Sequence, residues 1–200
     1  IESNGWLHIC NAARKNLAEI AAPLTGARWQ VKMCALNRFL AAMAYLKARE
    51  DPRITQTNIK EARKAASSSL RQNKDGFDWK KCDQFMCLYL DDAISLGVAA
   101  ATASTDDSEL YDLQSVGVRI LFEIVDAFSK SEDPDLEGQR GRILEQSSSQ
   151  ITSALRPSLT CECSYVSVDW ACRLVNEMIR EGLIVDKIVL RRIIKQMMPK

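Results

Sequence analysis

A single histidine, His8, stands in 200 residues, and that scarcity removes much of the chemistry a sequence can advertise. A serine or cysteine nucleophile needs a positioned base to take its proton, most often an imidazole. No Ser/His/Asp or Cys/His constellation can be assembled here. The phosphate-cradling pattern GxxxxGK[ST] is absent, and so is a GxGxxG following a strand. Gly138-Gln139-Arg140-Gly141 lies in a charged loop, which is the wrong context for either. Asp91-Asp92 and Asp106-Asp107 are paired carboxylates. Neighbours on a helix diverge by about 100°, so these pairs read as solvated or capping charges, not as an acid–base couple. Cys161-Glu162-Cys163 brings two thiols together, but a structural zinc site takes four ligands at recognisable spacing. Cys10, Cys34, Cys82, Cys87 and Cys172 fall singly inside helical patterns, as small buried hydrophobes do. The chain is therefore read as non-enzymatic, with no cofactor and no metal.

Charge is the next place to look for a partner. Net charge is +1, but residues 1–81 carry 15 Lys/Arg against 7 Asp/Glu, residues 82–138 carry 2 against 13, and residues 139–200 carry 10 against 6. The layout is basic, acidic, basic: +8, −11 and +4, which sum to +1. It suits solvated helix faces and attraction between neighbouring elements, or two surfaces meant for partners of opposite sign. Lys60, Arg63, Lys64, Arg71, Lys74, Lys80 and Lys81 cluster near Trp79. Such a patch can meet phosphates. No nucleic-acid reading motif accompanies it, and none is expected to be bound.

The elements that must carry these residues are helices. Apolar residues make up 46% and aromatics only 6%, with five prolines and eight glycines, a balance that favours aliphatic helix packing over a sheet. Trp6, Ile9, Ala13, Leu17 and Ile20 recur at helical spacing, and Pro23 and Gly26 close that helix. Trp29, Met33, Leu36, Leu40 and Met43 predict a second helix ending near Glu50-Asp51-Pro52, and Asn58–Leu70 a third, more polar one. Trp79 to Ala103 reads as one long helix whose last turns, Gly97 to Ala101, are small enough for close approach. Leu110, Leu113, Val116, Ile120, Ile124 and Phe128 form the fifth stripe, after Ser108 as cap. Ile143 to Leu155 form the sixth, stopped by Arg156-Pro157. The seventh carries Val168, Ala171, Cys172, Val175, Met178 and Ile179 and closes at Gly182, and Asp186 caps an eighth with Leu190, Ile193, Ile194 and Met197.

These helices pair as hairpins 6–48, 55–103, 108–156 and 164–198. Their lengths bracket the ~40–47 residues of HEAT and armadillo repeats. A hairpin cannot bury its stripe alone, so stacking follows. The expected fold is all-α, a segment of stacked antiparallel helical hairpins (an α-solenoid) cut from a larger protein, with a closed four-helix bundle or two separate bundles as the rival. Trp29, Leu36, Phe85, Leu96, Ile120, Ile124, Leu155, Val175 and Ile193 are expected in its core.

Leu88-Tyr89-Leu90-Asp91-Asp92-Ala93-Ile94 running into Ala100-Ala101-Thr102, then Ile143-Leu144-Glu145-Gln146, Gln150 and Ala154-Leu155-Arg156-Pro157, carry a more specific signal. With Ala171-Cys172, Gly182, Asp186 and Leu190-Arg191-Arg192 in the same order, the chain resembles the HEAT repeat-containing protein five family. That family consists of very large HEAT-repeat proteins of the clathrin-adaptor pathway. The resemblance spans Trp29 to the C-terminus. It implies a scaffold in membrane traffic between endosomes and the trans-Golgi network, with the clathrin adaptor complex and its accessory proteins as partners. Its implied place is cytoplasmic, peripheral to Golgi and endosomal membranes. The alternatives are a HEAT scaffold of another system (nuclear transport, phosphatase scaffold, Arf-exchange-related) or a basic helical module binding nucleic acid or anionic lipid.

For partner contact the expectation falls on the loop from Ser129 to Arg142, at Glu132, Asp133, Pro134, Asp135, Glu137, Arg140 and Arg142. It is long for a helix hairpin, where 2–8 residues is usual, and loops on a rigid scaffold commonly carry recognition. Arg156-Pro157 is expected to be structural.

Overall fold

A computed structural model describes residues 26–64, 85–103, 110–133, 141–160 and 163–197. The described residues are helical and contain no strand. The chain divides into two compact units, residues 1–92 with 131–141, and residues 93–130 with 142–200. The first expected helix, Trp79, His8, Ser108 and Asp106-Asp107 lie outside the described residues, as does the side chain of Trp29.

In the first unit, α1 (Gly26–Ala48) buries Leu36, Phe39, Leu40, Met43 and Leu46, an i, i+3, i+4, i+7 set on one face. It ends in a Schellman turn: Asp51 N donates to Leu46 O (3.0 Å) and Glu50 N to Lys47 O (3.1 Å). The left-handed position belongs to Glu50, at φ 50°. Pro52 then opens the single turn α2 (Pro52–Thr55), which packs on α1. Asn58 caps α3 (residues 59–64), its Oδ1 accepting from Glu61 N at 3.2 Å.

The long helix expected from Trp79 to Ala103 is instead interrupted. Phe85 is extended (φ −74°, ψ 132°), Met86–Tyr89 is a 3-10 turn, and α4 (Leu90–Ala101) begins only after it. Phe85, Met86 and Cys87 are all buried, and three consecutive residues of an α-helix would spread over more than half its circumference. Breaking the helix lets all three leave water.

The second unit is built around α5 (Leu110–Phe128). Leu113, Val116, Ile120, Ile124 and Phe128 are buried as the stripe predicts, and so are Val118, Leu121 and Val125. A helix buried on that many sides is a central one. The small residues of α4 permit the expected close approach. A Cβ placed on Gly117 would fall 2.7 Å from Ala100 C and 2.8 Å from Gly97 O, and would also strike Ala101 N. α5 also packs along α7 (Tyr165–Arg180), which belongs to the next expected hairpin. Contact between consecutive hairpins is how a stacked repeat buries its second face.

The sixth helix is shorter than expected. Residues 143–147 form turns, α6 spans Ser148–Ala154, and Pro157–Leu159 is a 3-10 turn. That turn packs against α5, α7 and α8 (Lys187–Met197), and Leu159 is buried. The structural role expected around Pro157 fits this position, whereas Arg156 itself is exposed.

The α7 stripe is rotated from the expected one. Ser167, Ala171, Leu174, Val175 and Met178 are buried, while Ile179 is 42% exposed and Val168 and Cys172 are only partly covered. Centring the stripe on Leu174 follows the i, i+4, i+7, i+11 sequence starting at Ser167. Among the described side chains of α8 only Ile193 is buried, and Ile194 is 44% exposed.

Of the expected core, Leu36, Phe85, Leu96, Ile120, Ile124, Leu155, Val175 and Ile193 are buried.

Candidate interaction surface

Two clusters of polar and aromatic side chains are assembled on the second unit, and each begins with how α7 ends or packs. Gly182, at φ +69°, closes α7 in a Schellman turn, with Leu183 N donating to Met178 O (2.8 Å) and Gly182 N to Ile179 O (3.0 Å). Leu183 and Met178 are both buried, the apolar pair that accompanies this motif. The negative end of the helix dipole then attracts cations. Arg142 Nη1 donates to the Glu181 carbonyl, Lys130 Nζ lies 3.8 Å from Glu181 Oε1, and Arg180 Nε lies 3.3 Å from it. Arg180 also pairs with Glu177, whose carboxylate is largely buried. The Glu177 charge is the main cause holding the Arg180 guanidinium above its ordinary range.

Lys130 and Arg142 flank the segment expected to contact a partner, and both meet Glu181. Within that segment Glu132 is exposed, Asp133 is partly covered, and Asp133 N donates to Gly141 O at 2.9 Å. Pro134, Asp135, Glu137 and Arg140 lie outside the described residues. Arg142, one of the residues expected to contact a partner, has its guanidinium on the Glu181 carbonyl at the end of α7.

The second cluster was not foreseen. Trp170, half-buried on α7, has its ring 5.5 Å from that of Phe122 on α5, tilted by 57°. Arg119 and Arg173 each lie 5.1 Å from the indole centroid, and Arg173 Nε is 2.9 Å from Asp169 Oδ2. Guanidinium groups over an indole are favourable cation–π pairs, and Trp with Arg is the composition of interface hot spots. The available signal was the i, i+3 spacing of Trp170 and Arg173. It could not reveal Arg119, which comes from another helix.

The remaining candidates are quieter. Asp91 and Asp92 occupy the first turn of α4, where carboxylates favour the helix. Lys60, Arg63 and Lys64 are exposed on α3, and the rest of that basic cluster lies outside the described residues. Cys163 is a free, partly covered thiol that donates to the Pro157 carbonyl and lies 3.8 Å from Gln114 Oε1. Gln114, itself buried, donates to Ala103 O at 2.9 Å, just past the end of α4. Burial pushes the Cys87 thiol up to about 11, against a weaker opposing pull from its own and the Leu88 backbone and from Arg63. A thiol so held is inert at neutral pH. Among the described residues no group of three or more His, Cys, Asp or Glu could hold a metal, and no helix is long and apolar enough to cross a membrane.

A family model described as the Laa1/Sip1/HEATR5 HEAT repeat region matches residues 85–200, more than half of the chain. No solved structure matches it.

Proposed function

The chain belongs to the Laa1/Sip1/HEATR5 HEAT-repeat family, and on that premise we propose that it is a non-catalytic scaffold segment serving membrane traffic between endosomes and the trans-Golgi network. The family match over residues 85–200 carries this reading. The helical build supports it: stacked helices offer extended surface for proteins. In this proposal residues 1–200 form one solenoid segment on the cytoplasmic side, and its partners are the clathrin adaptor complex and its accessory proteins. Contact with them falls on the loop around Glu132 and Asp133, with Pro134, Asp135, Glu137, Arg140 and Arg142. Arg142 steadies the loop from its place on Glu181.

The test uses the tagged full-length parent protein in cells. Replacing residues 131–140 by a short Gly/Ser linker is expected to leave the fold intact, because loop length alters closure entropy only weakly. It is also expected to reduce recovery of clathrin adaptor subunits. Unchanged recovery would reassign the loop to a connector. Absence of adaptor subunits from the unaltered protein would remove the trafficking reading itself.

A further inference from the structure

We propose that the outer face of α8 is a docking surface for an anionic lipid bilayer, held through Lys187, Arg191, Arg192 and Lys195. At 3.6 residues per turn these four fall within one half of the helix circumference, and all are exposed. Residues 187–197 contain no acidic residue, and none of the four cations forms an ion pair among the described residues. Lys187, Arg191 and Lys195 make an i, i+4 row of like charge, which works against an isolated helix. Lys187 also sits in the first turn, the positive end of the dipole, where a cation is disfavoured. Lys195 lies in the last turn, where a cation is favoured, so the unfavourable charge is that of Lys187 and of the like-charge row, and an external anionic surface would offset it.

The opposite face is committed to protein, since Ile193 is buried and α8 lies against the Pro157–Leu159 turn. The cationic face is the one left to solvent. Two aliphatic side chains interrupt it: Ile188, 58% exposed amid the four cations, and Val185, 81% exposed just ahead of the helix. Shape favours a bilayer over an acidic peptide. Peptide partners are commonly held in grooves or along sheet edges, whereas the outside of a helix is convex. A planar headgroup layer can follow such a ridge for ~16 Å and admit isolated aliphatic side chains at the interface.

The experiment is co-sedimentation of the full chain with phosphatidylserine-rich vesicles and with pure phosphatidylcholine vesicles, at low and high salt. Binding is expected only to the first, weakening as salt screens the charges. Each of Arg191→Gln and Arg192→Gln should weaken it about fivefold, and the pair roughly 25-fold, from the usual contribution of a cation near an anionic surface. Gln retains good helix propensity, and an unchanged melting temperature checks the fold. Should the pair prove unstable, the single variants carry the test. Ile188→Gln should weaken binding at both salt concentrations.

No binding to phosphatidylserine-rich vesicles at low salt would overturn the proposal. So would equal binding by the variants, or loss of binding in Lys60→Gln/Arg63→Gln/Lys64→Gln instead. Tighter binding of poly-glutamate or RNA than of the vesicles, at matched concentration of negative charge, would move the surface to a protein or nucleic-acid partner. The vesicles contain no protein, so either result leaves the adaptor reading to its own test.

Discussion

α1 and α7 end in the same pair of hydrogen bonds, yet one places Glu50 at the left-handed position and the other Gly182. At Gly182 the backbone is relaxed, Met178 and Leu183 close an apolar contact, and Arg142 with Lys130 gathers on Glu181. At Glu50 the side chain is exposed and the equivalent of Leu183 is Asp51, which cannot supply that contact. Hydrogen bonding alone therefore sets where a helix stops. The residue chosen sets how much stability the stop yields. The second end lies in the part matched by the family and the first lies outside it.

The largest effect expected within the second unit is Gly117→Ala. Alanine normally favours a helix over glycine by about 1 kcal/mol, but here backbone atoms of α4 occupy the space. Forcing the helices apart should cost about 3 kcal/mol, read as a lower denaturant midpoint. Gly97→Ala is the control, because the nearest atoms to its added Cβ belong to side chains, Leu121 at 2.8 Å and Ile120 at 3.2 Å, and not to backbone. Its change should stay within about 1 kcal/mol of zero. Equal losses at both positions would show that the crossing is looser than described.

Gly182→Val comes next. Among the described residues only Arg142 Nη1 lies near the added Cβ, at 3.9 Å, so the cost is that of the backbone conformation. A β-branched residue there should lose about 2 kcal/mol. An unchanged melting temperature would mean that the turn readily adopts another form.

Glu50→Gly should act in the opposite sense and more weakly. Relief of about 1–2 kcal/mol in the left-handed region is partly offset by the greater freedom of glycine in the unfolded chain, about 0.4–1 kcal/mol. A net gain of roughly 0.5–1 kcal/mol is expected. A loss would mean that the Glu50 side chain contributes something its exposed position hides.

Periodicity made α1, α5 and the α8 cap legible: the Leu36–Met43 and Leu113–Phe128 stripes are buried, and Asp186 Oδ1 accepts from Ile188 N at 2.7 Å. Spacing reveals a face but not where the helix holding it must break, so Phe85 and the turns after Arg142 were missed. It also cannot fix the rotation of a helix that touches several neighbours, as at Leu174 and Ile179. The clusters around Trp170 and Glu181 were illegible for a different reason. Each joins residues about forty or fifty positions apart, and nothing in a single sequence states which distant side chains share a helix end.

The break at Phe85 also leaves the first unit with a built-in chemical clock. Cys34 on α1 is exposed, while Cys87 in the 3-10 turn is covered, and burial holds it protonated up to about 11. A thiolate-directed reagent at neutral pH should mark Cys34 promptly and Cys87 only when the unit opens. The delay between the two adducts, followed by mass spectrometry, then measures how often that interior is exposed to water.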